Sequence, residues 1–103
     1  MSEFTDVTVV KNANIYFEGK VTSRTIIFRD GSKKTLGILL PGEYEFGTSQ
    51  REEMDIMSGT LEYKLNGMDW QKIEGSGVFF VPANERFQLK AHSIVDYCCS
   101  YFN

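Results

Sequence analysis

Between Tyr44 and Ile56 two kinds of residue alternate. The even positions read Tyr44, Phe46, Thr48, Gln50, Glu52, Met54 and Ile56, and the odd ones Glu43, Glu45, Gly47, Ser49, Arg51, Glu53 and Asp55. Successive side chains of a strand point to opposite faces, so the odd set is a solvated face and the even set an inward one. The inward set is apolar at both ends but carries a hydroxyl, an amide and a carboxylate in its middle, where packing alone favours Val or Ile. Polar groups turned inward are unfavourable unless they meet partners, and their concentration here predicts a pocket for a polar ligand. A hairpin near Gly47 to Gln50 would reset the register and bring Glu53 inward instead of Glu52. Both glutamates are therefore candidates.

The remaining chemistry-bearing residues are few. His92 is the only histidine and sits in Ala91-His92-Ser93, a turn-like context, so it reads as a surface residue. Cys98 and Cys99 are adjacent, and neighbours on a strand face opposite ways, so they are expected to be free, buried thiols, not a disulfide.

The elements that must position these groups are short strands. Val21 to Phe28 is β-branched and apolar and carries Arg24, and Asp30-Gly31 behind it signals a hairpin. Leu36, Ile38 and Leu40 form the next apolar face, closed by Pro41-Gly42. Leu61, Tyr63 and Leu65 alternate with Thr60, Glu62 and Lys64 up to Asn66-Gly67. Val78 to Val81 is apolar throughout, as for a strand covered on both sides. Phe87, Leu89 and Ala91 alternate again, and the last run places Val95, Tyr97, Cys99 and Tyr101 on one face. No helical periodicity exceeds about three turns, and roughly nine strands at regular spacing predict an all-β barrel or sandwich. The expected core is Leu36, Ile38, Phe46, Met54, Ile56, Leu61, Tyr63, Phe79, Val81, Phe87 and Leu89.

With 103 residues the chain is expected to be one domain, residues 1–13 forming an edge strand or a loosely ordered segment. A net charge of −3 argues against a nucleic-acid surface and requires any anion site to be made locally. No apolar run approaches the ~18 residues of a membrane span, and no leader-like segment opens the chain, so a cytoplasmic location is expected.

The central stretch is similar to the first cupin motif: Gly42 is followed after five residues by Thr48-Ser49-Gln50, and Glu52 stands six residues before Gly59. Gly77, Pro82 and Phe87 occupy places of the second motif. Thr48, Gln50 and Phe87 stand where three metal ligands usually do, and Glu52 alone cannot hold a transition metal, so no metal is expected. More closely, the chain resembles the small pyrimidine/purine nucleoside phosphorylases. The likeness runs through Tyr16 to Ser23, Leu36-Gly37, Pro41 to Thr48, Glu52-Glu53-Met54, Ser58 to Leu61, Trp70, Phe79 to Pro82 and Tyr97 to Tyr101. It implies a cupin-like antiparallel β-barrel of the jelly-roll type, and phosphorolysis of nucleosides to free base and ribose 1-phosphate with broad base tolerance. It also implies a homodimer, and inorganic phosphate as co-substrate without a cofactor. On that reading Lys20 and Arg24, with Arg51 or Arg86 as outsiders, are the candidates for phosphate. Tyr44 and Phe46 stack on the base, Glu52 or Glu53 favours charge at the ribose C1′, and Thr48 and Gln50 supply hydrogen bonds. A small-ligand-binding cupin that has lost its metal site and performs no turnover is the alternative. Neither reading involves nucleic acid or membrane.

Overall fold

The computed structural model describes residues 2–102. Eleven strands follow one another: β1 (Thr8–Val9), β2 (Asn14–Tyr16), β3 (Val21–Ile27), β4 (Lys33–Leu39), β5 (Gly42–Gly47), β6 (Arg51–Ser58), β7 (Thr60–Leu65), β8 (Gln71–Glu74), β9 (Gly77–Val81), β10 (Arg86–Ala91) and β11 (Val95–Phe102). Among the described residues the helical content is a single 3-10 turn at Phe17–Gly19. All pairings are antiparallel. One sheet runs β1-β3-β4-β11-β6-β9 with β2 also on β3, and the other runs β5-β10-β7-β8. The sheets face each other as a jelly roll, and their hydrogen bonding does not join them into one closed barrel. The expected N-terminal edge strand is β1, paired with Ile26 and Ile27 of β3.

The hairpin at Asp30-Gly31 forms between β3 and β4. The Asp30 carboxylate accepts from the Ser32 amide at 2.9 Å and the Ser32 hydroxyl at 2.6 Å, which holds its pKa below the usual carboxylate value. The long alternation from Tyr44 to Ile56 is two strands, not one. It breaks at residues 48–50, where the chain crosses from the four-stranded to the seven-stranded sheet. Thr48 braces this crossing: its hydroxyl donates to the Pro82 carbonyl at 2.6 Å and accepts from the Glu85 amide at 3.1 Å.

The core lies between the sheets. Met54, Ile56, Leu61, Phe79, Val81, Phe87 and Leu89 are buried as the alternation predicts, and Phe46 and Tyr63 are half-buried against them. Tyr63 stacks on Phe79 with ring centres 3.8 Å apart and packs against the core. β4 departs from expectation. Its inward residues are Thr35, Gly37 and Leu39, while Leu36 is half-buried on the outer face and Ile38 is 36% exposed there. The reason is steric as well as polar. A Cβ at Gly37 would lie 2.7 Å from the Tyr97 ring and 2.3 Å from the Thr22 carbonyl, so only glycine lets the phenol of β11 cross the inner side of β4. Outside, Leu36 is approached by the N-terminal segment, where Ser2, Glu3 and Phe4 share a groove with it and Phe4 meets Phe28 edge-on at 5.1 Å.

Candidate functional site

β6 and β11 pair in a register that sets Glu52 opposite Tyr101 and Met54 opposite Cys99. On the other side of β11, Cys99 lies opposite Thr35 of β4. This brings Glu52, Cys99, Tyr101 and Thr35 to the wall of one cavity of about 150 Å³ between the sheets. Leu39, Phe46, Met54, Phe87 and Leu89 form its apolar wall, Ser23 and Tyr97 extend the polar one, and Tyr16 stands at the mouth. Phe46 and Phe87 stack on each other at 29° with centres 5.7 Å apart, so the apolar wall carries two aromatic rings.

The polar wall is a chain of hydrogen bonds. The Thr35 hydroxyl and the Tyr101 hydroxyl are 3.2 Å apart, Tyr101 bonds the Cys99 sulfur, and the Cys99 thiol donates to Glu52 Oε1 at 3.5 Å. Burial raises the pKa of the Glu52 carboxyl because its charged form has lost water, and the bond from Cys99 pulls only partly the other way. Burial likewise pushes up Cys99, Tyr101 and Tyr97, so these three keep their protons at neutral pH. The site thus offers one desolvated carboxylate, three weakly acidic donors and a stacking surface.

A second, wider space of about 520 Å³ opens outward from the first and shares Tyr16, Thr35 and Tyr101 with it. Asn14, Thr25, Gly31, Ser32, Lys33 and Gln50 complete its lining.

The sequence candidates divide as follows. Glu52 and Phe46 line the inner cavity and Gln50 the outer vestibule. Glu53 points to the opposite face of β6, into the groove under the N-terminal segment, because β6 keeps its alternation without interruption. Thr48 serves the loop crossing and lines neither space. Tyr44 is 5% exposed and donates to the Leu40 carbonyl at 2.6 Å, which makes it core, one layer behind Phe46. Arg24 lies exposed on the outer face of β3, bonded to the Lys11 carbonyl at 2.6 Å, and Lys20 is exposed after the 3-10 turn; neither lines the cavity or its vestibule. Arg51 packs over Phe80 and Phe102 with its guanidinium 4.6 and 5.4 Å from their ring centres, and Arg86 pairs with Glu45 on the surface. His92 is exposed and bonds Glu62 at 2.7 Å. Cys98 and Cys99 are buried free thiols on opposite faces of β11: Cys98 in the outer groove, Cys99 in the cavity.

Thr35, Cys99, Tyr101 and Lys33 are the site residues that pattern reading passes over. Cys99 and Tyr101 share parity with the core residues Val95 and Tyr97, and Thr35 is masked by the stronger apolar signal of its neighbours Leu36 and Ile38. Among the described residues no three His, Cys, Asp or Glu side chains cluster as a metal would need.

The sheets, their jelly-roll connection and the enclosed polar wall define a cupin-like protein. The cupin domain of Cnp3 from Schizosaccharomyces pombe superposes with a TM-score of 0.67 at 14% identity, over 87% of this chain and 64% of that one, a likeness of fold alone. Within that class the chain belongs to the pyrimidine/purine nucleoside phosphorylase family, whose model matches residues 11–101. A pyrimidine/purine nucleoside phosphorylase of Leptospira borgpetersenii serovar Hardjo-bovis (strain L550) is 58% identical over 102 residues, 98% of each chain. A solved structure from Acinetobacter sp. ADP1, described as a protein of unknown function, has a TM-score of 0.92 at 36% identity and covers 97% of this chain and 98% of its own.

Proposed function

We propose that the protein cleaves purine and pyrimidine nucleosides by phosphorolysis, giving the free base and ribose 1-phosphate. A phosphate oxygen forms a bond to C1′ as the bond from C1′ to the base nitrogen breaks. The electron pair leaves with the base, which takes up a proton. Positive charge builds at C1′ in between, and an aimed carboxylate lowers the energy of that state. The observation that carries this reading is Glu52, a desolvated carboxylate at the junction of the aromatic wall and the hydroxyl wall. The base stacks on Phe46 and Phe87, and stacking tolerates any π-face, which supports broad base specificity. The ribose lies against Tyr101, Thr35 and Glu52. Small-molecule sites usually span ~300–1,000 Å³, so the inner cavity and the vestibule together hold the two substrates.

The reaction needs no metal in this scheme, since electrostatics of the chain itself act on C1′. A homodimer and a cytoplasmic location belong to the same proposal. Ile15, Ile38 and Leu40 are 66%, 36% and 38% exposed on β2, β4 and the residue after β4, an apolar surface that a two-fold partner would cover. Sedimentation at twice the chain mass is the expected result.

The deciding experiment incubates metal-free protein with several nucleosides and inorganic phosphate and follows release of base. Phosphate-dependent release is expected. Nucleoside binding without release at any phosphate concentration makes the protein a binding module.

A further inference from the structure

We propose that the vestibule is the phosphate subsite and that Lys33, not Lys20 or Arg24, is its cation; this rests on the phosphorolysis reading above. Displacement at C1′ requires the nucleophile to approach opposite the leaving base. If the base stacks on Phe46 and Phe87 within the inner cavity, the open approach to the sugar is from the mouth, past Tyr16, Thr35 and Tyr101. Those three residues are the ones the cavity and the vestibule share. An anion in the vestibule therefore abuts a sugar held at Glu52.

The donors there suit an oxyanion. Lys33 is the only Lys or Arg among the described residues lining either space, and no carboxylate lines the vestibule. Among the described residues Lys33 forms no ion pair, so its ammonium protons are available to a ligand. In a chain of net charge −3 a dianion needs such a local cation. The side groups divide into spent and available donors. The Asn14 amide nitrogen is committed to Ser23 and Thr25 at 3.1 and 3.2 Å, and the Ser32 hydroxyl to Asp30. Thr25 accepts from Asn14 and keeps its own proton for a phosphate oxygen, while the Asn14 carbonyl oxygen can accept from the protonated oxygen of hydrogenphosphate. The Asp30 carboxylate of the same hairpin accepts twice from Ser32 through Oδ1 and does not line the space.

The test measures phosphate KM at saturating nucleoside for wild type, K33M, K33R, K20M and R24M. We expect K33M to raise phosphate KM by about tenfold or more, as for loss of a charge-assisted bond, with nucleoside KM nearly unchanged and K33R restoring most of the loss. K20M and R24M should leave phosphate KM at the wild-type value. Calorimetric titration of inorganic phosphate into wild type and K33M reads the subsite without turnover, and binding in K33M should be weaker by the same factor of about ten or more. Unchanged phosphate KM and unchanged phosphate binding in K33M overturn the assignment, as does a rise confined to K20M or R24M. If wild type releases no base at any phosphate concentration, the phosphorolysis reading fails, while the titration still decides whether Lys33 holds the anion.

Discussion

The two sheets use the same alternation for opposite ends. In the four-stranded sheet polarity is simple: Tyr44, Leu61, Phe87 and Leu89 are buried, while Glu43, Glu45 and Gln88 face solvent. In the seven-stranded sheet the pattern is inverted at its centre. Ser23, Thr35, Cys99 and Glu52 face inward, and Ile38, Met57, Val78 and Phe80 face outward, each at least 36% exposed. The sheet that lends the cavity only its apolar wall keeps the rule of apolar inside. The sheet that carries the polar groups of the site breaks it, and the broken positions mark the chemistry.

Substitutions on the two sheets should therefore differ in sign as well as size. The largest effect is expected from Leu61→Ala in the packing sheet. Leu61 is fully buried, so its truncation should lower stability by about 3 kcal/mol, read by denaturant unfolding, with turnover per folded molecule retained. Glu52→Gln in the other sheet should do the reverse. Turnover should fall roughly 10²-fold, about 2.7 kcal/mol, with little change in nucleoside KM. Stability at neutral pH should rise. Because the folded pKa of Glu52 exceeds the unfolded one, the folded state binds more protons between the two values; stability then falls as pH rises through that window and stays reduced above it. Gln removes that deficit, and a melting curve at pH 7 checks it. The same carboxylate must be ionised to act, so wild-type turnover should climb with pH through its raised pKa, and the acidic limb should disappear in the Gln variant. A Glu52→Gln protein with lower melting temperature and full turnover would break the comparison.

A smaller effect is expected at Cys99, a positioning residue. Cys99→Ala removes the thiol that lowers the Glu52 pKa, so the acidic limb should move to higher pH and turnover drop about fivefold, matching ~1 kcal/mol for one hydrogen bond. Cys99→Ser should restore part of the shift, which a purely packing role for the sulfur would not. The smallest effect belongs to His92→Ala. It breaks only the exposed bond to Glu62, and its melting temperature should match wild type within error, since surface pairs contribute little.

The strands and the class of fold were legible because turn residues and period two are local properties. Glu52 was legible as one of two glutamates, and the choice between them needed the crossing at residues 48–50, which depends on the bonds of Thr48 to a loop more than thirty residues away. Thr48 itself looked like a pocket residue because a hydroxyl that satisfies a distant carbonyl cannot be told from one that awaits a ligand. β4 departs from its local pattern for a related reason. Leu36, Ile38 and Leu40 carry the strongest apolar signal, yet they face outward because Tyr97 occupies the space over Gly37. Lys20 and Arg24 stand beside and on β3, whereas Lys33 stands at the foot of a hairpin, with no local pattern to set it apart from other surface lysines. Only the fold shows that the hairpin reaches the mouth of the cavity.

The placement of β11 between β4 and β6 has a consequence for how the protein comes to work at all. The Cys99–Glu52 and Thr35–Tyr101 contacts of the polar wall join residues 47 and 66 positions apart in sequence. Contacts of that separation close large loops, and their entropy is lost before the contact repays it. A chain that has formed every local hairpin but has not seated β11 has no site, only halves of one. Ligand affinity is thus a property of the fully folded molecule alone, and a ligand bound in the cavity, by drawing only on that state, protects the most non-local part of the structure from opening.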